Sequence, residues 1–250
     1  MIRETQAFVL KKYKFRETSL IVHFYTREFG KIRAVAKGVR DLKSRKLSHF
    51  EAPVLLDVTI YSKPNRELQL LSDSYILDFF DGIKSDLDLY LTTCYGLELI
   101  DSFTQDHLPS EVIFRLLLTY FSSLRQETNL IFTTGFLAKL LKTLGIFPNL
   151  LECCICHQKI KGDSFLNLQQ GGVLCSKELS EGIHEWDRRI EQSDIHLMYE
   201  LIKDTFQQLE KKPQDAKRVR NVREILEFYI NYFTQLRLKT QKVYQEIANQ

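Results

Sequence analysis

The hydrophobic period of this chain changes from two to about 3.6 near Asp81, which limits the fold class more tightly than any single residue does. Upstream, five short β-prone runs stand out: Ala7–Leu10, Leu20–Tyr25, Lys31–Ala36, Val54–Tyr61 and Leu68–Leu71, separated by polar or glycine-containing turns. Downstream, Phe114, Leu117, Leu118 and Phe121 line one helical face behind a Ser110 cap. Leu137, Leu140, Leu141 and Leu144 form a second stripe, with Gly145 placed as a left-handed stop and Pro148 just beyond. Val222, Ile225, Leu226, Tyr229, Ile230 and Phe233 form a third. The pattern predicts an α+β chain: a five-stranded barrel over residues 1–80, then an all-α region over 81–250.

Five short strands in about 80 residues suggest an OB-fold, a small barrel often used to hold single strands and oligonucleotides. At 250 residues and 44% hydrophobic content the chain can bury proper cores. No apolar run approaches a membrane span and the N-terminus lacks a signal-peptide stretch, so a cytoplasmic protein is expected. No Pro/Gly/Ser-rich linker separates the two parts.

Between Arg27 and Lys46 lie Arg27, Lys31, Arg33, Lys37, Arg40, Lys43, Arg45 and Lys46, opposed by Glu28 and Asp41 alone. The whole chain is only +3, so the basic character is local. A local patch on a small β domain suits phosphate tracking, with nucleic acid as first candidate. An ordinary solvated face is the competing reading. Single-strand binders add aromatic faces for stacking, and strand alternation leaves Tyr25 and Phe29 as the candidates here. Six phosphate contacts would give a log affinity against log salt slope of about −4 for single strands and −5 for duplex.

These blocks have a familiar order. Glu4–Leu10, Glu17–Leu20, Tyr25–Lys31, Ala36–Arg40 and Lys43–Arg45 resemble the N-terminal region of the bacterial RecO family of DNA repair proteins. The likeness continues through Leu144–Pro148, Gly171–Cys175 and, more weakly, Leu236–Lys239, so it covers the whole chain. The resemblance implies an N-terminal OB domain and a helical domain with a small zinc-finger-like insert at about 148–180. It implies a recombination mediator that is not an enzyme and that binds single- and double-stranded DNA. Such a protein anneals strands coated with single-strand binding protein, works with RecR to load RecA, and associates with the nucleoid during repair. Lys37, Arg40, Lys43, Arg45 and Lys46 are then the expected phosphate contacts, supported by Arg27, Lys31 and Arg33, with Gly38 turning the chain between strand and loop.

Four of the five cysteines fall between Cys153 and Cys175, a spacing that fits a metal site or reduced thiols better than a secreted disulfide framework. Cys153-x-x-Cys156 and Cys175 supply three members of a four-ligand zinc pattern, but Glu178 stands where the fourth cysteine belongs. A closed site would need Glu178, Cys154, His157 or His184; otherwise the insert is a degenerate finger held by packing. Enzymatic readings fail. His49-Phe50-Glu51 matches half of a zinc deaminase signature, but Glu152 rather than proline precedes Cys153. A redox role for Cys153 and Cys156 lacks a βαβ context, and there is no phosphate-binding loop for an ATPase.

A second cluster, Lys211, Lys212, Lys217, Arg218, Arg220 and Arg223, is interleaved with Glu210, Asp215 and Glu224. It reads either as solvated charge or as a dock for the acidic C-terminal tail of single-strand binding protein, with Arg115 and Arg125 as rivals. The alternative function for the whole chain is an RNA-binding OB protein of translation or ribosome assembly.

Overall fold

A computed structural model describes residues 1–63, 66–162, 164–178, 187–213, 215–234 and 240. They divide into two compact units, one built on Met1–Gln126 and one on Glu127–Arg237. His184 and Leu236–Lys239, which entered the sequence reading, lie outside the described residues, as does the side chain of Phe233.

The first unit opens with strands β1 (Ile2–Phe15), β2 (Ser19–Thr26), β3 (Gly30–Ala36), β4 (Leu55–Tyr61) and β5 (Leu68–Asp78). They close into a barrel in the order β1-β2-β3-β5-β4, with β3 and β5 parallel and every other pair antiparallel. This is the OB-fold. β1 runs well past the apolar Ala7–Leu10 core because closure requires one strand to serve two neighbours. Its first half pairs β4, from Ile2 opposite Tyr61, and its second half pairs β2, ending with Phe15 opposite Ser19. Ala7, Val9, Val22, Phe24, Ala34, Leu56 and Val58 fill the interior.

The other face of β1 and β2 is buried as well at Phe8, Leu10 and Tyr25. Helices α1 (Asp81–Lys84), α2 (Leu87–Phe103) and α3 (Glu111–Ser123) follow the barrel within the same unit. Phe114 and Phe121 of α3 bring their rings to 5.2 and 5.5 Å from the ring of Phe8. Ser110 caps α3 as the pattern predicted, accepting from the amide of Ile113 at 3.3 Å, and Asp86 caps α2 from Leu89.

The second unit holds α4 (Asn129–Thr143), β6 (Asn149–Cys153), β7 (Ser164–Asn167), β8 (Gly172–Cys175), β9 (Asp187–Ile190), α5 (Gln192–Lys203), α6 (Phe206–Lys211) and α7 (Ala216–Thr234). Gly145 ends α4 with φ +75°, its amide bonded to the carbonyl of Lys142. Val222, Ile225, Leu226, Tyr229 and Ile230 of α7 are buried as the stripe requires. The four short strands make a sheet in the order β6-β8-β7-β9 that carries the cysteines. Strands of four or five residues are too short to show a period in the sequence. Among the described residues, no helix is long and apolar enough to cross a membrane.

Candidate nucleic-acid interface and cysteine site

The eight cations of the basic run do not form one surface. Arg27, at the turn after β2, makes a two-pronged bond to Glu111, Nε at 2.8 Å and Nη2 at 2.6 Å. Lys31 is largely covered; its Nζ donates to the carbonyl of Asp101 at 2.6 Å and stands 3.5 Å from a carboxylate oxygen of Asp106. Arg33 donates to Asp106 at 2.7 Å. Lys46 pairs with Asp73, and that bond, with the Ser74 amide and the Tyr75 hydroxyl, pulls the Asp73 carboxyl down to about 2. Four of the eight expected phosphate contacts are therefore occupied by carboxylates of their own chain.

The other four sit on the turn that follows β3. Lys37, Lys43 and Arg45 are exposed and Arg40 is half-buried; among the described residues none has a carboxylate partner. Arg40 reaches only the carbonyl of Arg16, at 3.4 Å. Gly38 takes φ +69°, the left-handed turn expected of it, with open space around it. Val39 then drops into the barrel core and fixes the loop to it.

Tyr25 has no exposed surface and burial pushes its phenol up to about 12. A ring enclosed on both faces cannot take a base, so the expectation that Tyr25 stacks is corrected. Alternation misled because the outer face of β2, half-covered at Ile21 and His23, is fully covered by protein at Tyr25. Phe29 is half-buried, with the guanidinium of Arg3 4.7 Å above its ring. Gly30 beside it is obligatory: φ is +66° and a Cβ would meet the Leu108 backbone at 2.5 Å.

Arg3 and Phe29 line a cavity of about 420 Å³ together with Ile32, Ile60 and His107. A second cleft of about 580 Å³ is lined by Phe15, Arg16, Lys37 and Tyr61. Both share Lys63, Arg66 and Gln69, so they form one groove along the barrel. Arg3, Arg16, Lys37, Lys63 and Arg66 supply positive charge to it and Glu67 a single carboxylate, while Phe15, Phe29 and the 44%-exposed Tyr61 supply rings. Sequence reasoning missed Arg3, Arg16, Lys63, Arg66 and Tyr61 because they are scattered. The signal that finds them is topological, since Arg16 lies in the β1–β2 loop and Lys63 and Arg66 in the β4–β5 loop, two loops that frame ligand sites on OB barrels.

In the second unit the sulfurs of Cys153, Cys156 and Cys175 lie within 4.8 Å of one another, and Cys156 and Cys175 are 3.8 Å apart. A tetrahedral zinc with Zn–S of about 2.3 Å sets its sulfurs about 3.8 Å apart, so the three thiols fit three corners of such a site. Burial raises the Cys153 thiol, but amides of Cys156, Cys175 and Ile155 outweigh it and hold the group below its ordinary value. The neighbouring Cys156 goes the other way: the Gln158 amide lowers it, but desolvation and the Cys153 and Cys175 sulfurs push it up to about 11, so the thiolate sits first on Cys153. Glu178, Cys154 and His157 stand outside the converging group. A zinc held there would cross-link the end of β6 to the end of β8.

Residues 1–80 match the family model described as recombination protein O N terminal, and residues 84–242 match recombination protein O C terminal. The chain belongs to the recombination protein O family. The DNA repair protein RecO of Syntrophus aciditrophicus is 31% identical over 176 residues, covering 69% of this chain and 68% of the relative. That of Exiguobacterium is 24% identical over 249 residues, 99% of this chain and 97% of the relative; that of Bacillus pumilus is 26% identical over 253 residues, with 100% and 96% covered. Membership makes this a DNA repair and recombination protein and favours DNA over the RNA-binding alternative.

In the helical part, Lys212 is paired with Glu200 and Asp204, Arg218 with Asp215 and Arg223 with Glu227. Lys211, Lys217 and Arg220 are exposed. A depression of about 390 Å³ adjoins Lys212 and Arg218, but Glu200 and Asp215 also line it. Arg115 stands 3.6 Å from Glu111, and Arg125 bonds the carbonyls of Ser122 and Leu124.

Proposed function

We propose that this chain is a non-enzymatic recombination mediator that grips DNA through Lys37, Arg40, Lys43 and Arg45 and seats a single strand in the adjoining groove. The observation that carries the reading is that none of these four cations is ion-paired among the described residues, and that one of them, Lys37, lines a groove holding four more cations and three aromatic rings. Stacking on an exposed ring such as Tyr61 contributes about 1–3 kcal/mol per base and is indifferent to sequence. Four loop contacts account for about −3 in the single-strand salt slope. Sequence-independent grip of this kind suits annealing of strands coated with single-strand binding protein, and loading of RecA together with RecR, in the nucleoid.

Because Lys212, Arg218 and Arg223 already have acidic partners, the acidic tail of single-strand binding protein would be met by Lys211, Lys217 and Arg220. Titrating a tail peptide against the charge-reversed triple variant tests that surface, and unchanged affinity removes it. The reading as a whole is tested by strand annealing with and without single-strand binding protein. Accelerated annealing with a salt-dependent affinity is expected; a protein that neither binds DNA in low salt nor speeds annealing would overturn it. Zinc analysis of protein purified without chelators tests the three-thiol site, with the metal expected to be lost in Cys156→Ser.

A further inference from the structure

Leu42 is fully exposed, at 105% of its reference area, on the basic loop between Arg40 and Lys43. A lone surface leucine is ordinary. This one differs in how it is held and in what flanks it. Val39 is buried in the barrel core, and the Arg40 amide donates to the carbonyl of Thr18 at 2.8 Å. The Asp41 amide donates to the carbonyl of Gly38 at 3.2 Å, the Ser44 amide to that of Asp41 at 2.9 Å, and the Lys43 amide to the Asp41 carboxylate at 3.0 Å. On the far side Lys46 is tied to Asp73. The loop is thus anchored at both ends and cross-bonded between, so Leu42 is presented to solvent instead of folding back onto the barrel. Arg40, Lys43 and Arg45 flank it along the chain, and none of the three is ion-paired among the described residues; the one carboxylate of the turn, Asp41, is engaged by the Lys43 amide.

An apolar side chain projecting from a cationic turn is the chemistry of a wedge: cations fix the phosphates and the hydrocarbon enters a base step, unstacking it. We propose that Leu42 inserts between neighbouring bases of duplex DNA while Arg40, Lys43 and Arg45 hold the flanking phosphates, so that the loop opens a step as well as gripping the backbone. The inference rests on the DNA-binding reading above. Its consequence is a site where paired strands are already parted, which a protein that exchanges or anneals strands can use as a starting point. Neutral contacts carry no counterions, so the wedge is separable from the grip.

The experiment uses the full chain, a duplex carrying 2-aminopurine at successive steps, and anisotropy to follow binding in low salt. Wild-type protein is expected to raise the 2-aminopurine fluorescence at one or two steps. Leu42→Ala is expected to abolish that rise and weaken binding by about tenfold, the scale of one lost leucine contact, with an unchanged salt slope. Leu42→Phe should keep the rise. The wedge is overturned if wild-type protein binds with no rise at any step, or if Leu42→Ala retains it. It is also overturned if Leu42→Ala loses only its binding to phosphatidylglycerol vesicles, which would assign the leucine to a lipid surface. Absence of any duplex binding by anisotropy is a different result, because it removes the DNA-binding reading itself. Since Leu42 touches no core residue, the thermal midpoint should be the same in all three proteins.

Discussion

The basic run divides into a part held by carboxylates and a part left free, although both mix lysine with arginine; Lys46, beyond the free part, is held again by Asp73. Arg27, Lys31 and Arg33 lie where the chain passes the α2–α3 region, and Asp101, Asp106 and Glu111 meet them there. Lys37, Arg40, Lys43 and Arg45 lie beyond the end of β3, where the chain turns away from that acidic neighbourhood. A cation's availability is set by the countercharge that the fold brings to it, not by the density of cations around it. The first half joins barrel to helices within its unit; the second is left for an external anion.

Substitution should separate the halves. The largest effect is expected from the quadruple variant Lys37→Ala, Arg40→Ala, Lys43→Ala, Arg45→Ala. In low salt it should lose about a hundredfold or more in DNA affinity, and its single-strand salt slope should fall by about 3 while its thermal midpoint stays put. The triple variant Arg27→Ala, Lys31→Ala, Arg33→Ala should do the reverse, lowering the midpoint and leaving the slope nearly unchanged. Equal loss of slope in both variants would erase the distinction. Within the pinned half, Lys31→Met should be the costliest single change, about 1–3 kcal/mol by denaturant melt, because it strips a mostly covered ammonium from the Asp101 carbonyl and from two carboxylates.

The division between the halves was hidden in the sequence for a concrete reason. Arg27 and Glu111 are 84 positions apart, and Arg33 and Asp106 are 73 apart. Local reading sees neither pair, so eight cations looked alike. The barrel itself was legible because Leu20, Val22 and Phe24 alternate onto its interior, and α3, α4 and α7 because their stripes and caps are local. Tyr25 was hidden for the same reason as the cations: the backbone of Ser110, the cap residue of α3, meets its phenol from far along the chain. The cysteine trio was legible because two of its members lie on one tight turn, whereas the aromatic and cationic groove needed the barrel closed before Arg3, Arg16 and Arg66 could be seen together.

Titration gives the subtler tests of the same contrast, since the covered side of the barrel carries shifted groups. Tyr25 has its phenol raised from about 10 to about 12 by burial. A group raised on folding contributes stability that is complete below its unfolded value and lost as pH climbs through the folded one. Wild-type protein should therefore lose stability between about pH 10 and 12 by a contribution that Tyr25→Phe removes, read as a flatter alkaline limb in melts at fixed ionic strength. If the two proteins have the same limb, the phenol is in water and the covered face is open. The smallest effect belongs to Glu111, whose carboxyl the guanidinium of Arg27 holds below its usual range. Its contribution is present above the ordinary carboxylate value and fades as pH falls below it. The pair is exposed enough for salt to screen it, so Arg27→Gln should lower the midpoint slightly at pH 7 in low salt, and less at acid pH. DNA affinity should not follow. If it falls with the midpoint unchanged, Arg27 leaves Glu111 to meet phosphate, and the pinned half of the run joins the free one.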